Sequence, residues 1–171
     1  MIEEHLEHNC NQLILQVTQA CNLVCFYCPY ANKTGNIMQR DHSNKQITWE
    51  IAKKAIDFFY DHSEYNDSPI ISFYGGEPLI AFELVKKCVA YAEELFFGKN
   101  LIFAMTTNST LFTEEMMNFV ADHNFSLTIS IDGPEEIHDI NRKKGDGSGS
   151  FKDAFNNMIN VAEIYREKNI K

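Results

Sequence analysis

Four short runs rich in strand formers, each followed by a stretch of helical periodicity, leave this chain few ways to fold. The first run is Gln12-Leu13-Ile14-Leu15-Gln16-Val17-Thr18. The others are Pro69-Ile70-Ile71-Ser72-Phe73-Tyr74, Leu101-Ile102-Phe103-Ala104-Met105-Thr106 and Phe125-Ser126-Leu127-Thr128-Ile129-Ser130-Ile131. Mostly apolar runs of this length, ended by turn formers, predict strands. Between them Thr48 caps a helix over about 49–62, with Glu50 in its first turn and Ala52, Ala55, Ile56 and Phe59 at helical spacing. A helix over about 81–97 carries a stripe of Leu84, Val85, Cys88, Val89, Ala92 and Phe96, and Thr113 caps a third with Met116, Met117 and Val120. Ser150 caps a fourth from Phe151, with Asp153 in a loose capping box and a stripe of Phe151, Ala154, Phe155, Met158, Ile159, Ala162 and Tyr165.

Strand and helix alternating in this way imply parallel strands joined by right-handed crossovers. The expected class is α/β, a partial TIM-like barrel of about four parallel βα units. Four such units form an open arc whose last strand exposes an apolar edge and face unless more strands follow. Residues 1–171 are therefore expected to be a portion of a larger barrel. From Pro29 to Gln46 the chain is polar and aperiodic. A connection of that length is either functional or a solvated surface loop.

A composition of 44% hydrophobic and 12% aromatic residues over 171 positions is enough for one globular core. The net charge of −9 argues against nucleic-acid binding, since phosphate contacts need a basic face and the one basic run is Arg142-Lys143-Lys144. Met1-Ile2-Glu3-Glu4-His5 lacks the pattern of a secretory signal, and no apolar run is long enough to span a bilayer. The expected setting is cytoplasmic, with no membrane partner. Five unevenly clustered cysteines do not resemble a secreted disulfide framework, and a reducing compartment keeps thiols free for metal.

Three of those cysteines fall in Cys21-Asn22-Leu23-Val24-Cys25-Phe26-Tyr27-Cys28. A CxxxCxxC loop can aim three thiolates at one region, and soft thiolates select zinc, copper(I) or iron–sulfur clusters. Iron–sulfur clusters ordinarily take four cysteines, so three on one loop suggest a [4Fe–4S] cluster with one iron left open for a small molecule. The alternative is zinc completed by a distant Cys10, His42 or Cys88, although zinc loops usually pair their ligands as two CxxC or His couples. Cys88 sits in a helical stripe and reads as a buried, apolar-like thiol.

The remaining chemistry clusters by position. Cys21–Cys28, Gly75–Pro78, Thr107-Asn108 and Ser130–Asp132 each lie at or just past the C-terminal end of a predicted strand, where parallel α/β barrels carry their sites. Gly75-Gly76-Glu77-Pro78 lets backbone approach a ligand closely, with Glu77 as an acceptor for an ammonium group, or is a plain turn with an early helical proline. Asn108 can bond a ligand or satisfy a turn, and Ser130 and Asp132 can bind hydroxyls or local backbone. Arg142 can clamp a carboxylate. His138-Asp139 is not a dyad, because adjacent helical residues do not face each other, and no GxSxG elbow supports a hydrolase. His5, His8, His62 and His123 read as surface residues.

Taken together, these residues resemble the radical S-adenosylmethionine (SAM) superfamily, and within it the branch of peptide- and protein-modifying enzymes that includes anaerobic sulfatase-maturating enzymes and thioether-forming peptide maturases. Thr18-x-x-Cys21-Asn22-Leu23-x-Cys25-x-Tyr27-Cys28 resembles the cluster loop, and Gly75-Gly76-Glu77-Pro78-Leu79 the segment that receives the methionine amino group of SAM. Thr107-Asn108 resembles the third-strand motif, and Ser130-Ile131-Asp132-Gly133-Pro134 with His138-Asp139 and Arg142 the fourth-strand signature.

The resemblance implies that Cys21, Cys25 and Cys28 bind three irons of a [4Fe–4S] cluster and that SAM chelates the fourth. One electron from a low-potential donor then cleaves the sulfonium, and the 5′-deoxyadenosyl radical abstracts hydrogen from a peptide or protein substrate. The cofactor carries the hard step, and no side chain here is assigned a catalytic role of its own. Gly75, Gly76 and Glu77 are expected around the amino group, Ser130, Asp132 and Arg142 toward the ribose or carboxylate end, and the main chain at Tyr27 beside adenine. Asn108 completes the expected set. Two departures stand out: Ser109 replaces the glycine that often follows the motif asparagine, and the last strands and cysteine-rich C-terminal extension are absent. The chain alone is expected to hold a cluster and turn over substrate poorly. The competing classes are an iron–sulfur electron carrier or sensor and a zinc-stabilised interaction domain.

Overall fold

The computed structural model describes residues 8–30 and 43–170. His5, His42 and most of the polar connection lie outside them. Four strands, β1 (Gln12–Thr18), β2 (Ile70–Gly75), β3 (Ile102–Thr107) and β4 (Ser126–Ile129), form one sheet in the order β1-β2-β3-β4. All three pairings are parallel, with Leu13 opposite Ile71, Ile71 opposite Phe103, and Met105 opposite Leu127. β1 and β4 are the two edges, so the sheet is an open arc, a partial barrel as the alternation predicts.

Helices α1 (Trp49–Asp61), α2 (Phe82–Leu95), α3 (Glu114–Asp122), α4 (Glu135–Asn141) and α5 (Phe151–Glu167) follow in chain order. Thr48 and Thr113 accept from the N–H groups of Ile51 and Met116, as expected of N-caps. Leu15, Val17, Ile56, Ile71, Phe73, Val85, Val89, Met105 and Val120 form the core between sheet and helices, and Cys88 is buried among them. Stacked Phe73, Phe103 and Phe125 rings, 5.4–6.4 Å apart in pairs, run across three strands of that layer.

The strands are buried on this face alone. Ile71 and Phe73 are inaccessible, whereas their neighbour Tyr74 is 45% exposed and Ile14 of β1 is 60% exposed. The helices cover one side of the sheet, and the other side faces the candidate site.

Other differences concern the fourth unit. The sequence does not announce α4. Ser150 makes no side-chain cap. Instead Asp139 Oδ1, from α4, accepts the N–H groups of Ser150 (2.8 Å) and Phe151 (2.9 Å). Gly149 is required for this, because a Cβ there would stand 2.0 Å from the Asp139 carboxylate. Asp153 pairs with Lys144 rather than closing a capping box. The buried stripe of α5 is also turned from the expected one: Ala154 and Val161 are buried, while Phe155, Ile159 and Ala162 are exposed. Among the described residues α5 packs against α3 and α4, and Phe155, Ile159 and Ala162 face outward. His8, His62 and His123 are partly exposed surface residues, with His62 stacked on Phe58, His8 beside His62, and His123 against Phe119.

Candidate active site

The four strand ends meet around one cavity of about 270 Å³. Cys21, Cys25, Tyr27, Cys28, Gly75, Gly76, Glu77, Asn108, Ser130 and Arg142 all border it. Asp132 stands behind them, bonded to Tyr27 and Arg142. Leu23, Pro29, Tyr30, Tyr74, Thr106 and Thr107 complete the wall; Leu23 and Thr107 belong to the motifs quoted above, whereas no motif marks Tyr30, Tyr74 or Thr106.

The paired glycines have a packing reason. Gly76 N–H donates to Thr18 O (2.9 Å) and Glu77 N–H to Ala20 O (2.9 Å), stitching the end of β2 to the start of the cysteine loop. A Cβ on Gly76 would lie 2.2 Å from Ala20 O, and one on Gly75, whose φ is +149°, 2.2 Å from Thr18 O. Only glycine allows that approach. The residues that bring Glu77 to the cavity thus also set the height of the cysteines.

Glu77 is 1% exposed and is held by three donors. Its Oε1 accepts from Thr107 Oγ1 (2.7 Å) and Leu79 N (3.1 Å), and its Oε2 accepts from Asn108 N (2.8 Å). Burial pushes its pKa up, while the donors from Asn108, Thr107 and Leu79 oppose the rise. An ionised carboxylate has about four acceptor positions. One position is left over after the three donors, on a residue that lines the cavity.

Asn22, inside the cysteine loop, ties that loop to the end of β3. Its Nδ2 donates to Thr110 Oγ1 (2.7 Å) and its Oδ1 accepts from Asn108 Nδ2 (3.0 Å). On the other side, Val24 N–H donates to Lys143 O (2.8 Å) and Phe26 N–H to Asn141 O (2.7 Å). The loop is therefore anchored to all three neighbouring strand ends or the segments that follow them.

At the rim, the Asp132 carboxylate accepts from Tyr27 OH (2.8 and 2.9 Å) and Arg142 Nε (2.8 Å), and the guanidinium lies 5.4 Å from the Tyr27 ring centre. Burial works against ionising Asp132, but the Arg142 and Tyr27 donors outweigh it and hold its pKa below the usual range. Behind this group, buried His138 takes the Asp132 N–H on Nδ1 (3.4 Å) and faces Ser150 Oγ with Nε2 (3.0 Å). Ser150 Oγ donates to Arg142 O (2.6 Å), so His138 Nε2 carries the proton. Burial and Arg142 lower its pKa. His138 is thus a neutral support for the turn after β4, and Asp139 a helix cap; the two do not act as a dyad.

The donor set suits a cluster better than one ion. Cys10 precedes β1, at the far end of the strand from the cysteine loop, and Cys88 is sealed in the core, where burial raises its pKa to about 12. Neither can complete a zinc site with Cys21, Cys25 and Cys28. Among the described residues no three His, Cys, Asp or Glu side chains converge closely enough for a single ion. A cubane spreads its thiolates over separate irons, whereas zinc draws four donors to about 2.0–2.3 Å of one centre. Burial raises the Cys21 thiol to about 11, opposed by the Leu23 N–H and reinforced by Glu77 and the other two cysteines. Burial also raises Cys25, opposed by Arg142. Metal loading must displace these protons.

The chain is similar to known proteins in sequence and fold. The chain is 37% identical over 146 residues to an uncharacterised protein of Methanocaldococcus jannaschii, covering 85% of this chain and 46% of that one. It is 31% identical over 140 residues to the serine-type anaerobic sulfatase-maturating enzyme of Bacteroides thetaiotaomicron, covering 81% and 33% respectively. Among solved structures, native anSMEcpe with bound AdoMet and Cp18Cys peptide superposes with a TM-score of 0.75 at 25% identity, covering 94% of this chain and 41% of that one. The chain thus spans less than half the length of these relatives. The profile of the Radical SAM superfamily matches residues 15–171, which takes in every strand end described above. A match of that extent, on a sheet that presents the three cysteines and Glu77 to one cavity, makes this chain a member of the Radical SAM superfamily.

Proposed function

We propose that the chain is the cluster-bearing part of a radical SAM enzyme that modifies a side chain of a peptide or protein. The observation that carries this reading is that three thiols and a buried, cation-seeking carboxylate border the same cavity. Cys21, Cys25 and Cys28 would hold three irons of a [4Fe–4S] cluster. The cluster, when bound with SAM and reduced by a low-potential donor, supplies sulfonium cleavage and the 5′-deoxyadenosyl radical.

The protein's own part is to bind and orient. Glu77, with the main chain at Gly75 and Gly76, receives the methionine ammonium. Arg142 spends one of its five donors on Asp132 and keeps the others for the ligand's carboxylate or ribose end, alongside Ser130. Asp132 sets the position of Arg142 and Tyr27, and the main chain at Tyr27 flanks adenine. The peptide substrate is inferred from the peptide held by the anSMEcpe neighbour and from the name of the Bacteroides relative. We place the substrate wall in the further length those relatives have. A reducing cytoplasm suits five free thiols, and no helix among the described residues is long and apolar enough to cross a membrane.

Anaerobic reconstitution with iron and sulfide tests the reading. About four irons per chain are expected, together with an electron paramagnetic resonance signal that changes when SAM is added. Replacing Cys21, Cys25 or Cys28 by Ala should abolish cluster uptake, and Cys10→Ser should leave it intact. A signal indifferent to SAM, or stoichiometric zinc in place of iron, would overturn it.

A further inference from the structure

The sulfur of Cys21 is the meeting point of two N–H groups. Leu23 N–H points at Sγ from 3.5 Å, within the loop, and Asn108 Nδ2 approaches it at 4.0 Å from the end of β3. The second contact depends on which way the Asn108 amide is turned, and the surrounding bonds decide that. Asn108 Oδ1 accepts from Thr110 N (3.0 Å) and Thr110 Oγ1 (2.7 Å), so the carbonyl end faces Thr110. One amide proton is then spent on Asn22 Oδ1 (3.0 Å), whose own orientation is set by its bond to Thr110 Oγ1 (2.7 Å). The remaining amide proton has Cys21 Sγ as its neighbour.

We propose that Asn108 is a positioning residue for the electron-transfer step, acting through Cys21 to set the reduction potential of the cluster. The inference rests on the reading of the site given above. A hydrogen bond to a thiolate ligand withdraws electron density from the cluster, and the reduced cluster, carrying one more negative charge, gains more from that bond than the oxidised one. The bond therefore eases reduction. Asn22 and Thr110 fix the amide, so the effect depends on a three-residue clasp spanning two strand ends. Leu23 N–H, a main-chain donor, supplies a constant part that side-chain substitution does not remove.

The test is a potentiometric titration of the reconstituted 171-residue chain without SAM, followed by the reduced-cluster resonance. Asn108→Ala is expected to lower the reduced-to-oxidised ratio at a fixed reductant potential by up to about tenfold, which for a one-electron couple corresponds to about 59 mV. Thr110→Val, which removes the hydroxyl that donates to Asn108 Oδ1 and accepts from Asn22 Nδ2 while leaving the Thr110 N–H in place, should shift the ratio in the same direction by less. In the parent chain, the reduced cluster should couple to an exchangeable proton whose signal is lost in heavy water and weakened in Asn108→Ala. An unchanged potential and proton coupling in a cluster-loaded Asn108→Ala chain would overturn the inference, whereas the SAM response of the parent chain tests the reading of the site separately. If Asn108→Ala loads no cluster, Thr110→Val decides: a potential and an exchangeable-proton coupling unchanged from the parent overturn the inference, since Leu23 N–H by itself accounts for a coupled proton in the parent. A parent chain that takes up no cluster would bring down both.

Discussion

Glu77 shows how one side chain can serve packing and ligand binding together. Three donors from two segments hold its carboxylate, yet among the described residues no cation is bonded to it, and burial keeps its pKa raised. Below the ordinary carboxylate value Glu77 is protonated in both folded and unfolded chains and contributes no pH dependence. As pH rises through that value, the unfolded chain ionises first, so the folded state loses stability until pH passes the raised value of Glu77. Denaturant titrations from about pH 4 to 7 should show this decline in the metal-free chain. Glu77→Gln should flatten Glu77's share of the decline, at a pH-independent cost of about 1–3 kcal/mol, because the Gln amide presents a donor to donors already in place. A slope that is the same in both chains would contradict the assignment.

Helix α5 depends on an element the sequence leaves unmarked. Its first N–H groups are satisfied by Asp139 of α4, and the close approach is possible because residue 149 is glycine. Asp139→Ala should cost about 1–2 kcal/mol, the range for a lost N-cap, read as a shift in the denaturant midpoint with an unchanged slope. The same substitution loosens the turn that carries Arg142, since Ser150 connects the two through Arg142 O and His138. The α4–α5 junction is therefore both a cap and a brace for the rim of the site. Its parts lie 11 and 12 positions apart in the chain, beyond the reach of a capping-box pattern.

For the molecule as a whole, the cysteine loop is the hub on which three segments converge: the end of β2 through Gly76 and Glu77, the end of β3 through Asn108 and Thr110, and the end of α4 with the residues after it through Asn141 and Lys143. A ligand that clamps this loop stabilises all of them, because it binds the folded chain and has no preformed site in the unfolded one. Loading the cluster should raise the thermal midpoint by several degrees, given about 2–4 °C per kcal/mol for a chain of this size. Anaerobic calorimetry before and after chelation measures it. Cys25→Ala should show no such gain.

The order of the four strands and of helices α1, α2, α3 and α5, the placing of four motifs at the C-terminal ends of strands, the spacing of Cys21, Cys25 and Cys28, and the caps at Thr48 and Thr113 were all determined by the sequence, because each is written in neighbours a few positions apart. Tertiary structure decided the rest: why residue 76 must be glycine, which residue caps α5, which face α5 buries, and which way the Asn108 amide points. Asn22 and Thr110 are 88 positions apart, and no periodicity connects them. Such pairings exist only once the strands stand side by side and buried polar groups must find partners across the sheet.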